Sequence, residues 1–141
     1  MRLEEVIKNL PALLGALLVA ILFIQSGLDK VFDWKGNVDW LKGHFAKTPL
    51  AGMVPLMLAQ ITVIELAAGL ISAAGIAYFF VAGSTVLIFW GSAVGASGIV
   101  ALFFGQRIAK DYPGAAVLVP YFVLLMILML LTNPYQRLTG G

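Results

Sequence analysis

A stretch between positions 55 and 105 holds only one side chain that is charged at neutral pH, Glu65. A helix needs about 20 apolar residues to cross the hydrocarbon core of a bilayer, so this stretch suits two membrane spans joined by a very tight connection. With two further apolar runs, the predicted spans are residues 10–28, 55–75, 78–104 and 115–131. The sequence therefore predicts an all-α membrane protein, a bundle of four transmembrane helices with both termini on the same side.

The composition indicates one membrane domain over residues 1–141. Hydrophobic residues make up 61% of the chain and charged residues 11%, and the mean hydropathy of +0.98 leaves too little polar surface for a water-soluble domain. The first apolar run is expected to stay as a span, because a cleaved signal peptide would be shorter and would not follow Glu4 and Glu5. The net charge of +2 does not predict nucleic-acid binding.

The chain contains no Cys and a single His, His44. The lack of Cys excludes disulfides, thiol relays, iron–sulfur clusters and c-type haem attachment within this chain. A haem held by two His of one chain is excluded as well, and a metal site would have to rest on carboxylates alone. We therefore expect no metal and no intrinsic cofactor.

A cluster of polar side chains follows the first apolar run. At 100° per residue on a helix, Gln25, Ser26, Asp29, Lys30 and Asp33 fall within about 140° of one another, so one helix face carries all the polarity. The functional site is expected on this face.

Glu65 lies about ten residues into the second span, roughly 15 Å along the helix axis and near mid-membrane. Thr62, Glu65, Gly69 and Ser72 share one face within about 80°, which predicts that this face turns to the bundle interior. An ionised carboxylate at this depth is unfavourable, so Glu65 is expected to be protonated or hydrogen-bonded. We interpret it as functional, and the alternative is a buried structural hydrogen bond.

The candidate binding pocket collects polar side chains from three parts of the chain: Gln25, Ser26, Asp29, Lys30, Glu65 and Asp111. Because the second span starts on the side where the first ends, Gln25 and Ser26 are expected to meet Glu65 in depth better than Lys30. Lys30 has the alternative of extending to the lipid headgroups, as lysines at span ends commonly do. Asp111 is expected to join a polar cap over this pocket, and the alternative is a solvated loop network.

The segment between the first two spans predicts a short helix lying in the headgroup layer. Trp34, Val38, Leu41 and Phe45 recur at spacings of four, three and four, which lines up one apolar stripe on a helix. An ordinary loop with aromatic anchors is the alternative. His44 in this segment is expected to be solvated rather than a ligand or a base.

Gly91, Gly95 and Gly98 form a small-residue face on the third span. Packing inside the monomer is the favoured interpretation, and a homo-oligomer contact through these glycines is the alternative. Pro120 near the start of the fourth span predicts a kink.

Three segments together resemble the DoxX family of small four-helix membrane proteins. They are Phe-Ile-Gln-Ser-Gly-Leu-Asp-Lys-Val at residues 23–31, Glu-Leu-Ala-Ala-Gly-Leu at 65–70 and Lys-Asp-Tyr-Pro-Gly-Ala at 110–115. The resemblance covers nearly the whole chain, and its motifs occur in the family's order.

The resemblance implies a multi-pass protein of the bacterial inner membrane. The family is named for relatives of a subunit of an archaeal thiosulfate:quinone oxidoreductase, so we expect a membrane subunit of a quinone-linked oxidoreductase, with quinone as ligand and electrons from a soluble or membrane redox partner. Two alternatives stay open. One is a non-catalytic assembly, stability or trafficking factor that binds a partner protein, and the other is a small proton-coupled transporter.

Overall fold

The computed structural model describes residues 2–135, and all regular secondary structure in that range is helical. The α-helices are α1 (Leu3–Lys8), α2 (Leu10–Phe32), α3 (Trp34–His44), α4 (Val54–Ala82), α5 (Val86–Ile108), α6 (Tyr112–Ala116) and α7 (Leu118–Thr132), and a short 3-10 helix (Ala51–Met53) precedes α4. Within residues 2–135, four helical segments are long and apolar enough to cross a membrane: α2, α4, α5, and α6 together with α7. The predicted all-α architecture with four spans is therefore confirmed.

Helix α4 is central to the bundle. α2 packs along α4 and so does α5, whereas α7 packs mainly against α5. The core between them includes Phe23 of α2, Ile99 of α5 and Leu125 of α7, which are all buried. Gly15 near the start of α2 lies against Leu128 near the end of α7, so these two helix ends lie on the same side of the bundle.

Two glycines bring the backbone of α4 into near contact with both neighbouring helices. A Cβ atom at Gly69 would lie 2.8 Å from the backbone nitrogen of Ile24 in α2, and a Cβ atom at Gly75 would lie 2.8 Å from that of Ile88 in α5. A side chain at either position would push the helices apart. This is the close approach that small residues permit between transmembrane helices.

The small-residue face of α5 is also used inside the chain. Gly91, Gly95 and Gly98 are buried. A Cβ atom at Gly91 would lie 2.9 Å from the backbone nitrogen of Ser72, and one at Gly98 would lie 2.8 Å from the side chain of Ile64. The chain's own helices fill this face, so it is not free for the homo-oligomer contact considered from the sequence.

The turn between the second and third spans lies at residues 83–85, about eight residues later than predicted. Gly83 adopts the left-handed region with φ +71°, which favours glycine, and its N–H donates to the carbonyl of Phe79 at 2.7 Å. Gly75, which marked the predicted end of the second span, instead lies inside α4 as a packing residue.

The last span begins with a capped turn and is interrupted once. Asp111 precedes α6, and its carboxylate accepts a hydrogen bond from the N–H of Gly114 at 2.9 Å. The helix is interrupted at Val117, between α6 and α7. Pro120 explains the interruption, because it has no N–H for the carbonyl of Ala116 and its ring crowds that carbonyl. Val117 itself keeps helical backbone angles, and a bend of the helix axis at this point stays a prediction.

Helix α3 occupies the segment for which a short helix was predicted. Val38 and Phe45 from the predicted stripe are buried, and α3 packs on α4. Trp40 lies on the opposite side and is 62% exposed. The position of α3 in the headgroup layer stays a prediction.

Candidate functional site

The end of α2 lies close against the first half of α4. α2 continues to Phe32, four residues beyond the predicted end of the first span, so Lys30 is still helical. A Cβ atom at Gly27 would lie 2.6 Å from Cδ2 of Leu66 in α4, which shows how near the two helices are at this level. This approach brings the side chain of Lys30 to that of Glu65.

Lys30 and Glu65 form an ion pair between α2 and α4. Lys30 Nζ lies 3.1 Å from Oε1 and 3.1 Å from Oε2 of Glu65. The same nitrogen donates to Ser26 Oγ at 2.8 Å and makes a longer contact of 3.4 Å with the Ser26 carbonyl oxygen. The Glu65 side chain is 3% exposed and that of Lys30 is 20% exposed. The pair thus has one buried member and one member that reaches the surface.

The inward face predicted for α4 is confirmed. Thr62, Glu65, Gly69 and Ser72 are all buried. The hydroxyl of Thr62 donates to the Leu58 carbonyl at 2.7 Å and is therefore already used. Within residues 2–135, the side-chain partner of the Glu65 carboxylate is Lys30, so the charge of this lysine offsets the burial of the acid.

The depth order expected from the sequence is wrong. Lys30 meets Glu65, whereas Gln25 is exposed on the outer side of α2. The Cα–Cβ bonds of a helix tilt toward its N-terminus, so the side chain of Lys30 runs back over Ser26 and deeper into the bundle. A depth order counted from Cα positions does not include this reach. Lys30 is directed to Glu65 and not away from the bundle, as its alternative required.

Gln25 and Asp29 line an open groove on the outer face of α2, which we call the α2 groove. It is shallow and open, and all its lining residues belong to α2. It is lined by Ala20, Ile21, Ile24, Gln25, Leu28, Asp29 and Phe32. Because the side chains of Gln25 and Asp29 are exposed while Lys30 turns inward, the polar face predicted for this helix is divided between two environments.

Asp111 belongs to a third cluster, at the junction of α3, α5 and α6. His44 Nε2 lies 2.7 Å from Oε1 of Gln106 and 3.8 Å from Oδ2 of Asp111. The His44 ring stacks on Trp40 with centroids 4.7 Å apart. The expectation of a solvated His44 is wrong, because its side chain is only 16% exposed.

Sequence reasoning missed this cluster because His44 and Gln106 are 62 residues apart and no periodicity links them. The available signal was a polar residue, Gln106, near the end of the apolar helix α5. The single predicted pocket therefore corresponds to three separate places: the Lys30–Glu65 pair with Ser26, the α2 groove, and the His44 cluster with Asp111.

Comparisons of this chain with protein-family models, with curated proteins and with solved structures found no match. The resemblance to the DoxX family therefore stays a prediction from the three sequence segments.

Proposed function

We propose that this multi-pass membrane protein is a DoxX-like subunit of a quinone-linked oxidoreductase in a bacterial inner membrane. The observation that supports the proposal is the Lys30–Glu65 pair, in which a buried carboxylate is held by a lysine that is still 20% exposed. Such a pair offers a hydrogen-bond donor at its exposed edge and a second proton-carrying group behind it.

The donor inventory of Lys30 fits a carbonyl ligand. An ammonium group carries three N–H donors, and in this structure Ser26 Oγ and the Glu65 carboxylate accept well-formed hydrogen bonds. The remaining contact, to the Ser26 carbonyl oxygen at 3.4 Å, is long for a hydrogen bond. A ligand oxygen would therefore be a better acceptor for the third N–H of Lys30 than the Ser26 carbonyl oxygen is.

A quinone bound at this edge supplies an electron-accepting ring whose carbonyl oxygens take up protons on reduction. Lys30 Nζ holds a proton at the exposed edge of the pair. Glu65, with both oxygen atoms 3.1 Å from that nitrogen, holds or returns a proton from the buried side. Ser26 Oγ, at 2.8 Å, orients the ammonium group. Electrons would come from a partner chain.

The test measures binding of decylubiquinone to the full-length protein in nanodiscs. Quenching of tryptophan fluorescence reports the binding. Lys30→Met should weaken binding about tenfold or more, because a hydrogen bond from a charged donor is lost. Lys30→Arg should fall between this variant and the wild type, because it keeps the charge but changes the donor geometry. Lys35→Met is the matched control, since Lys35 is an exposed lysine of α3.

Unchanged quinone binding by Lys30→Met would refute the proposal. A decyl chain without carbonyl groups should not compete, and equal competition would show partition into lipid instead of binding. Protein purified from its native membrane with a partner chain and no quinone would favour the non-catalytic assembly factor.

A proton-coupled transporter is the second candidate, and two buried hydroxyls favour it. Ser72 of α4 and Ser92 of α5 are fully buried, and their hydroxyls have no hydrogen-bond partner among residues 2–135. Ser72 lies seven residues beyond Glu65, about 10 Å further along α4. Proton flux into proteoliposomes under an imposed potential should then fall in Glu65→Gln. Equal flux in the variant and the wild type would remove this candidate.

A further inference from the structure

Two polar side chains face outward from α2 and have no partner among residues 2–135. Gln25 and Asp29 are exposed and lie one helical turn apart in the α2 groove. Within residues 2–135, no side-chain hydrogen bond reaches the Gln25 amide, and no cationic nitrogen lies within 4.0 Å of the Asp29 carboxylate. The lysine next in sequence, Lys30, is turned inward to Glu65.

The position of these two groups in the membrane makes their lack of partners significant. Gln25 lies seven residues before the end of α2, about 10 Å along the axis, so its amide is at the level of the lipid chains or just below the headgroups. An unsatisfied amide is unfavourable there, and an unpaired carboxylate at the mouth of a span attracts a cation. The α2 groove therefore offers an occupant an amide donor from Gln25 and a negative charge from Asp29.

We propose that the α2 groove binds an aminophospholipid, with the ammonium group on Asp29 and an ester carbonyl on the Gln25 amide. The rise from Gln25 to Asp29 is about 6 Å, which matches the thickness of one polar headgroup layer, about 5–8 Å. From Ala20 to Phe32 the groove is about 18 Å long, enough for one acyl chain to lie along its apolar side chains.

Other occupants fit this groove less well. A second copy whose two-fold axis passes beside Asp29 would bring the two Asp29 carboxylates together, and like charges repel. An anionic lipid would face the same carboxylate. A choline headgroup has a positive charge but no N–H donor, so it makes a weaker contact with a carboxylate than an ammonium group does. The remaining competitor is a partner's transmembrane helix with a basic residue at its end.

The test is native mass spectrometry of the full-length protein in detergent, titrated with phosphatidylethanolamine, phosphatidylcholine and phosphatidylglycerol that carry the same acyl chains. The wild type should bind phosphatidylethanolamine about tenfold more tightly than phosphatidylcholine. Asp29→Asn should reduce this preference to about twofold. Gln25→Leu should weaken both lipids alike, by about threefold, because their ester carbonyls are identical.

Asp39→Asn is the matched control, because it removes one exposed carboxylate from α3 and leaves the groove unchanged. It should keep the full preference for phosphatidylethanolamine. Equal binding of the two zwitterionic lipids by the wild type, or an unchanged preference in Asp29→Asn, would overturn the proposal. A wild-type protein that shows no lipid preference, and that copurifies with a partner chain which Asp29→Asn loses, would also overturn the proposal.

Discussion

Replacing Lys30 by Met should destabilise the bundle more than replacing Glu65 by Leu, although both variants break the same pair. Lys30→Met keeps the apolar stem but removes the ammonium donor from Glu65, whose side chain is 3% exposed. Glu65→Leu leaves Lys30 with the Ser26 hydroxyl as an acceptor and with 20% of its side chain exposed. The acid loses its side-chain partner, whereas the lysine keeps one.

The magnitudes follow from this asymmetry. An unsatisfied buried polar group destabilises by about 1–3 kcal/mol, and removal of one partner of a buried ion pair by about 3–5 kcal/mol. A carboxyl group that takes up a proton is no longer an unpaired buried charge, so the loss for Lys30→Met falls below the value for a broken ion pair. We expect a loss of about 2–3 kcal/mol for Lys30→Met and of about 1 kcal/mol for Glu65→Leu. The double variant replaces the pair by apolar side chains and should lose at most about 1 kcal/mol of stability. This is about 2–3 kcal/mol less than the sum of the two single losses, and that difference is the coupling energy of the pair.

These free energies are measured by reversible unfolding in mixed micelles of dodecyl maltoside and sodium dodecyl sulfate. Circular dichroism monitors the unfolding. Ser97→Ala is the control, because Ser97 is exposed on α5 and its hydroxyl donates to the Ala93 carbonyl of its own helix. It should change stability by less than about 0.5 kcal/mol. Equal losses in the two single variants, or additive losses in the double variant, would refute the reasoning.

Three further predictions concern packing and the position of α3. In the same unfolding assay, Gly75→Val should destabilise the bundle by more than about 2 kcal/mol, because its Cβ would lie 2.8 Å from the backbone nitrogen of Ile88. Gly52→Val is the control and should leave stability unchanged, because its Cβ would lie in open space. His44→Ala should speed amide hydrogen exchange in the last turn of α3 without affecting α5, because it loses the 2.7 Å contact with Gln106; unchanged exchange would show that this contact does not hold α3. Nitroxide labels along α3 should report membrane depth with a helical period, and a uniformly water-exposed profile would exclude the interfacial position.

Helical periodicity was enough to predict which side of α4 is buried. Thr62, Glu65 and Ser72 all face the interior, as their shared face indicated. The boundary between α4 and α5 was not predictable in the same way. Gly75 and Gly83 are both glycines in an apolar run, and only the three-dimensional packing makes the first a contact with α5 and the second a left-handed turn.

The partners of the polar residues lay beyond the reach of sequence patterns. Periodicity places a residue on a face of its own helix, but it does not give the register between two helices or the direction of a long side chain. The pairing of Lys30 with Glu65 depends on both, because Gly27 sets how closely α2 approaches α4. The His44 contact with Gln106 depends on how α3 folds back over the bundle.

The length of α4 has a consequence for the behaviour of the whole bundle in bilayers of different thickness. α4 has 29 residues, about 43 Å, whereas the hydrocarbon core of a bilayer is about 30 Å thick. A helix with this hydrophobic mismatch tilts or extends into the headgroup layer. Because glycine contacts fix α2 and α5 to α4, the three helices must tilt together, and a thicker bilayer makes them more upright. The distance of the Lys30–Glu65 pair from the membrane surface is therefore set by the thickness of the lipid bilayer as well as by the sequence.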